Sequence, residues 1–182
     1  FDAAAAPGSK TTQIAARINL DGGGNHDIAT GIAFFDHMLT LFSVHGFFDL
    51  QVKAVGDIEV DYHHTVEDVG LVMGSILASA VGDKKGIVRY GHAVTPMDDA
   101  LCEVSLDFCG RPYLVYELPD TVEAAGGFNI YLAREFFRAL ANTAGLNLHI
   151  RVRYGINDHH VTESVFKSFG RALDQATAFD RR

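Results

Sequence analysis

The sequence predicts an α+β protein made of two fused copies of one strand-and-helix unit. Three observations carry this reading. The motif His-His-x-x-Glu occurs twice, as His63-His64-Thr65-Val66-Glu67 and as His159-His160-Val161-Thr162-Glu163. Each copy opens a segment with helical spacing of apolar residues, and each follows a similar order of alternating strands and one earlier helix. The two copies stand roughly 96 residues apart, a period too long for a solenoid.

The elements follow in order. Residues 11–20 alternate as a strand, and Asp21-Gly22-Gly23-Gly24-Asn25 makes a turn. A short strand runs into Thr30. Residues 34–42 have the apolar density of a buried helix, stopped at Gly46. Residues 49–55 alternate again, Gly56-Asp57 turns, and the first motif helix spans about 65–81. In the second half, 101–107 is a strand, Cys109-Gly110-Arg111-Pro112 a turn and 113–117 a strand. Residues 132–144 form a helix stopped at Gly145, 146–154 a strand and 160–177 the last helix. Residue echoes support the duplication: Ile18-Asn19-Leu20-Asp21 against Val104-Ser105-Leu106-Asp107, and Asp49-Leu50-Gln51-Val52 against Asn147-Leu148-His149-Ile150. Residues 1–10, an alanine run with Pro7-Gly8-Ser9, read as a flexible extension without the basic and apolar regions of a secretory signal. Residues 11–182 read as one domain of two pseudo-repeats, about 11–85 and 86–182.

Composition narrows the class. With 48% apolar and 21% charged residues in 182, the chain has the make-up of a soluble globular protein. A formal net charge of −8 argues against non-specific nucleic-acid binding, which wants a basic surface. No apolar run is long enough to span a membrane. Two cysteines, Cys102 and Cys109, make a disulfide framework unexpected and a reducing, cytoplasmic setting the natural one.

The chemistry lies in the doubled motif. On a helix, residues four apart share a face while neighbours diverge by about 100°. His63 and Glu67 can therefore grip one ion while His64 looks toward another, and His159, Glu163 and His160 repeat the pattern. Two such helix starts related by a pseudo-twofold build two mixed sites, each borrowing a histidine from the other motif copy. Imidazole with carboxylate suits Mn, Fe or Zn rather than Ca. His37 on the first helix and Glu135 at the corresponding place in the second half are candidate fourth ligands. Plainer readings hold elsewhere. His26, His92 and His149 are taken as structural, Gly22-Gly23-Gly24 as a hairpin turn rather than a phosphate loop, and Phe34-Phe35 and Phe136-Phe137 as core. Asp98-Asp99 reads as a turn or as a partner behind a ligand histidine. Lys167, four residues after Glu163, is either an ordinary intrahelical partner or a functional cation on the metal face.

At these residues the sequence resembles the imidazoleglycerol-phosphate dehydratase family. The resemblance is carried by Thr30-Gly31-Ile32-Ala33-Phe34-Phe35-Asp36-His37-Met38-Leu39, by Asp61-Tyr62 with the first motif and Glu67-Asp68-Val69-Gly70, and by Arg89-Tyr90-Gly91. Pro96-Met97-Asp98-Asp99-Ala100-Leu101, Gly110-Arg111-Pro112 and Asn157-Asp158 running through the second motif to Lys167 continue it. It covers about 11–178 and implies a ribosomal protein S5 domain 2-like fold, with helices layered between two four-stranded sheets. It further implies a cytoplasmic hydro-lyase of histidine biosynthesis that removes water from imidazole glycerol phosphate with two Mn2+ per active site. Trimers would assemble into a 24-subunit homo-oligomer with sites at subunit contacts.

Residue by residue, the resemblance gives one metal to His37, His64, His159 and Glu163, and the other to His63, Glu67, Glu135 and His160. Many members carry His where Glu135 stands, and a carboxylate ligates Mn equally well. Arg89, Arg111 and Lys167 match phosphate-holding positions, and His45 lies in the substrate-lining stretch with the ligands His37, His63, His64, Glu67, His159 and His160. Glu67, Glu163 and His45 are the catalytic candidates. Metal on the imidazole nitrogens would spread charge through the ring during elimination. Three departures stand out. Thr11 replaces the family's first-strand Glu, a candidate proton shuttle, and threonine is no base at neutral pH. Tyr131 stands where a Glu is usual, and the family's phosphate-binding tail would follow Arg182. A non-catalytic relative assembled by metal is the competing reading. A dinuclear phosphate-ester hydrolase ranks last, because such enzymes favour Asp-rich ligand sets.

Overall fold

The structure is a computed structural model that describes residues 2–4, 12–122 and 128–181. Thr11 lies outside the described residues, as does most of the expected N-terminal extension. Among the described residues, eight strands and four helices are arranged as two four-stranded sheets enclosing the helices. The first sheet holds β1 (Asp2–Ala4), β2 (Gln13–Asn19), β3 (His26–Ala29) and β4 (Asp49–Val55), in the order β1-β2-β4-β3. The second holds β5 (Tyr90–Met97), β6 (Ala100–Asp107), β7 (Tyr113–Glu117) and β8 (Asn147–Tyr154), in the equivalent order β5-β6-β8-β7. In each sheet the third and fourth strands pair in parallel, and the helix joining them makes the crossover a parallel pair requires. These helices are α1 (Ala33–Gly46) and α3 (Tyr131–Ala144); α2 (His63–Val81) and α4 (Asp158–Thr177) close each half.

Two strands depart from the sequence reading. Asp2–Ala4, expected to be flexible, pairs antiparallel with β2, because the edge of that sheet offers unpaired backbone groups there. Strand β5 was not anticipated, since Gly91 and Pro96 break its pattern. Pro96 is tolerated because β5 is an edge strand, where a missing N–H costs no ladder bond. Asp98 then takes a positive φ of 45° in the β5–β6 hairpin. The repeat echo at β2 is also displaced by two residues. Ile18 pairs with Leu50, and its structural counterpart is Leu106, which pairs with Leu148. A two-residue slip keeps every side chain on its face, which is why the echo still looked right.

Strands β2 and β4 alternate buried with mostly exposed residues and β6 buried with half-buried ones, so one face of each sheet meets the helices. Between the sheets α1 lies against α4 and α2 against α3, each pair running in the same direction. The core there is aromatic: Phe35, Phe42, Phe136, Phe137, Phe166 and Phe169 are all buried and pack ring on ring, some stacked and some edge-on. Phe34 departs from the expected core role; it is only partly buried and sets its ring edge-on to His159, 5.2 Å between centroids.

Glycines set the helix spacing. Gly46 does not end α1 by its own conformation; Phe47 takes the left-handed turn at φ 56°. Gly46 is small because a Cβ there would meet the Phe48 ring at 2.2 Å. At Gly74 of α2 a Cβ would lie 2.0 Å from Thr143 Oγ1 and 2.4 Å from the Leu140 carbonyl of α3. Gly74→Ala should therefore destabilise the protein by about 1–3 kcal/mol through overpacking, outweighing the ~1 kcal/mol gain in helix propensity. Chemical denaturation reads this directly, and an unchanged or raised midpoint would contradict the close packing.

Candidate metal centre

The helix starts are fixed by local capping. Asn157 caps α4 by accepting the backbone N–H groups of His159 and His160 at 2.9 and 3.3 Å. Asp61 does the same for α2, accepting from the His63 N–H at 2.8 Å. Near the start of α1, Asp36 accepts both the N–H and the hydroxyl of Thr30, at 2.8 and 2.6 Å, which ties His37 to the end of β3.

Because α1 and α4 run together, His37 meets the second motif. His37 Nε2 and His159 Nε2 each lie 2.9 Å from Glu163 Oε1. The three ligand atoms all fall within 4.8 Å of one another. Ligands about 2.1 Å from a single small ion stand about 3–4 Å apart, so the trio fits one cation once the His–Glu hydrogen bonds give way. The other carboxylate oxygen, Oε2, accepts from Lys167 Nζ at 2.6 Å. Lys167 thus forms the intrahelical pair, and Met97 Sδ lies 3.1 Å from the same ammonium.

The α2/α3 pair carries the corresponding residues, which do not close into a three-ligand cluster among the described residues. His63 Nε2 sits 3.4 Å from Glu67 Oε2. Arg138 of α3 donates to Glu67 Oε1 at 3.2 Å and pairs with Glu135 Oε2 at 2.5 Å. The two carboxylates therefore share one guanidinium, and each motif glutamate has one oxygen on a cation and the other facing histidine. A cavity of about 270 Å3 opens beside His159 and one of about 510 Å3 beside His63. Tyr62 lines both, so the two half-sites flank a single ring.

His64 and His160 join neither group. His64 Nδ1 contacts Asp57 Oδ2 at 3.2 Å, and His160 Nδ1 contacts Asp99 Oδ1 at 2.6 Å. The Asp57 hydrogen bond holds His64 above its ordinary pKa. His160, together with the Ile156 and Asn157 N–H groups, holds the Asp99 carboxyl well below the usual range. His45, two turns along α1 from His37, is pushed below the ordinary histidine value by burial and by the charges of Lys167 and Arg171, against Glu163.

Burial alone would raise the Glu163 carboxyl, but hydrogen bonds from Lys167, His37 and His159 and the Lys167 charge outweigh it and bring it from 4.5 to about 2. A depressed carboxylate stabilises the fold above its unfolded value and loses that contribution as pH falls. The metal-free protein should therefore lose stability between pH 4.5 and about 2, a loss missing from Glu163→Gln. Urea midpoints across that window test it; identical acid profiles would contradict the assignment.

The phosphate candidates lie elsewhere. The Arg89 N–H bonds the Ala176 carbonyl at the far end of α4, and the Gly110 N–H, beside Arg111, bonds Gly145 just past α3. At about 1.5 Å per residue, His159 and Ala176 are roughly 26 Å apart along α4. One chain does not bring Arg89 and Arg111 to its own half-sites. Arg89 is engaged by Asp107 at 2.8 Å and by the Tyr90 hydroxyl at 2.8 Å.

The family described as Imidazoleglycerol-phosphate dehydratase matches residues 30–173, a span that takes in both half-sites. The chain belongs to the imidazoleglycerol-phosphate dehydratase family. It is 58% identical over 171 residues to the imidazoleglycerol-phosphate dehydratase of Desulfosudis oleivorans, covering 94% of this chain and 88% of that one. To the protein of the same name from Alkaliphilus metalliredigens it is 56% identical over 174 residues, covering 96% and 89%. The crystal structure of imidazoleglycerol-phosphate dehydratase from Staphylococcus aureus superposes with a TM-score of 0.84 at 41% identity, covering 92% of this chain and 95% of that one. The Pyrococcus furiosus structure in complex with (S)-C348 gives a TM-score of 0.84 at 35% identity, covering 96% and 93%.

Two residues of this imidazoleglycerol-phosphate dehydratase family member escaped the sequence reading. Arg138 was detectable, since it lies three residues after Glu135 on the same helix face. Asp57 was not: it sits in a turn before α2 and reaches His64 only through the folded path of the chain.

Proposed function

We propose that this protein removes water from imidazole glycerol phosphate using two Mn2+ ions per active site, in sites completed between subunits. Family membership supports the reaction, a carbon–oxygen elimination by a hydro-lyase. The observation that carries the metal reading is the His37, His159 and Glu163 trio where α1 meets α4, with the i,i+4 pair of His63 and Glu67 repeating its motif on α2. No helix among the described residues is long and apolar enough to cross a membrane.

One ion would be held by His37, His159 and Glu163 with His64 of another copy. The second would be held by His63, Glu67 and Glu135 with His160 of another copy. Sharing is supported by the failure of His64 and His160 to join their own chain's groups, and by the distance to Arg89 and Arg111. A closed assembly follows, and the 24-subunit shell of trimers is the form proposed.

Two cations so placed supply Lewis-acid polarisation of an imidazole ring. The chain's own groups do the rest. Arg111 and Arg89 present guanidinium forks that bind a phosphate in two places and fix its orientation. Lys167 locks the Glu163 carboxylate in place, so the ligating oxygen needs no reorganisation. His45, kept neutral, can hydrogen-bond substrate without adding charge beside Lys167 and Arg171. Glu67 is steadied by Arg138 in the same way as Glu163 by Lys167.

The test is an assay of Mn(II)-loaded protein with imidazole glycerol phosphate, following the enolised ketone and free phosphate together. Ketone without phosphate is expected. Phosphate release would instead indicate a hydrolase, and neither product would overturn the enzymatic reading. Chelation should break a large assembly into smaller species by size-exclusion chromatography, and a size indifferent to metal would count against shared ligands.

A further inference from the structure

We infer that Asp57 and Asp99 are positioning residues that fix which ring nitrogen of His64 and His160 is left to ligate. The inference rests on the metal reading above. In both motif copies the second histidine turns its Nδ1 to an aspartate outside the motif, Asp57 Oδ2 at 3.2 Å and Asp99 Oδ1 at 2.6 Å. An ionised carboxylate only accepts hydrogen bonds, so Nδ1 carries the hydrogen, and the neutral ring that binds a metal then has its lone pair on Nε2. That matches His37, His63 and His159, which all turn Nε2 toward a motif glutamate. Nε2 is thus the donor atom throughout, and a carboxylate behind the ring also raises its donor strength.

The two aspartates do not occupy repeat-equivalent places. Asp57 comes from the turn between β4 and α2, and Asp99 from the β5–β6 hairpin. Each half therefore meets the same chemical need by its own route. Their anchoring differs as well. Asp99 Oδ2 accepts the N–H groups of Ile156 and Asn157, at 2.7 and 3.1 Å, which ties the entrance of α4 to the hairpin. Asp57 Oδ1 is buried without a hydrogen-bond partner, so Asp57 serves His64 alone through its side chain. Asp98 Oδ2 lies 3.4 Å from His160 Nε2, and its mostly exposed side chain is free to yield that nitrogen to an ion.

This asymmetry fixes the variants. Asn at position 57 still offers an oxygen to Nδ1, whereas Asn at 99 cannot accept from both His160 and the backbone pair. Full-length protein, stripped with chelator, is titrated with Mn(II) by calorimetry. Asp57→Ala and Asp99→Asn are each expected to weaken one of the two Mn(II) sites per subunit by about 10–100-fold and leave the other unchanged. Asp57→Asn should stay within about threefold of the parent, since the hydrogen bond survives. Metal-free Asp57→Ala should melt with the parent protein, which separates an effect on ligation from one on folding. Asp57→Ala binding Mn(II) at both sites with parental affinity would overturn the inference while leaving the metal reading intact. A parent protein that binds no Mn(II) would overturn the metal reading itself.

Discussion

Glu163→Gln is expected to leave a folded but inactive protein that retains only one of its two metal ions per subunit. The carboxylate serves two sets of partners at once. Oε1 faces His37 and His159, and Oε2 takes the Lys167 ammonium. An amide has a single oxygen, so it can satisfy the lysine or the histidines' ion, not both. Turnover should fall by at least about a hundredfold, more than replacing a supporting group costs, because a ligand itself is lost. A stability cost should accompany it. Glu163 is 7% and Lys167 13% exposed, so Lys167 would exchange a carboxylate for at best a neutral amide oxygen, and losing a charge-assisted bond of this kind costs about 1–3 kcal/mol. Glu67→Gln makes the control. Arg138 is 51% exposed and keeps Glu135, so that variant should lose its metal with little change in stability. Metal content by elemental analysis beside thermal melts reads both effects. Two ions per subunit in Glu163→Gln would remove Glu163 from the ligand set.

His64→Ala and His159→Ala should each be inactive alone, yet regain activity when co-assembled. Both belong to one proposed ligand set, but His159 sits with Glu163 in its own chain while His64 does not. If His64 comes from a neighbour, a mixed oligomer contains sites in which both contributing chains are intact at the residue that matters. Random assembly of equal amounts restores about a quarter of these sites, since each of two independent contributors is intact half the time. Unfolding and refolding the mixture, or co-expressing the two chains, should therefore return about a quarter of parental activity. Mixtures as inactive as either parent variant would place His64 in the site of its own chain.

The sequence exposed the chemistry more fully than the architecture. The doubled motif, with i,i+4 geometry, was enough to pair His63 with Glu67 and His159 with Glu163, because helix periodicity is a local rule. His37 and Glu135 could be proposed from repeat correspondence, since both stand at the fifth position of their helices. What stayed hidden depends on contacts distant in sequence. Strand β5 carries too much Gly and Pro to announce itself and exists because β6 offers an edge. The contact of Asp57 with His64 needed the path of the turn before α2, and the double duty of Arg138 needed the packing of α2 on α3. Arg89 and Arg111 match phosphate-holding positions in the motif order, and only the folded chain shows Arg89 at the far end of α4 and Arg111 just past the end of α3.

The pairing of α1 with α4 and of α2 with α3 has a consequence for the history of such a chain. His37 belongs to the first half and Glu163 to the second, while Glu67 belongs to the first and Glu135 to the second. Neither half could collect three donors by itself. A half-length ancestor would have had to meet its own twin to hold any ion, and it would then have held two identical ones. Within one joined chain the two centres are free to differ. Histidine stands at position 37 where glutamate stands at 135, and Lys167 steadies one carboxylate where Arg138 steadies the other. Severing the chain near residue 85 and mixing the pieces should rebuild metal binding only as the two fragments recombine.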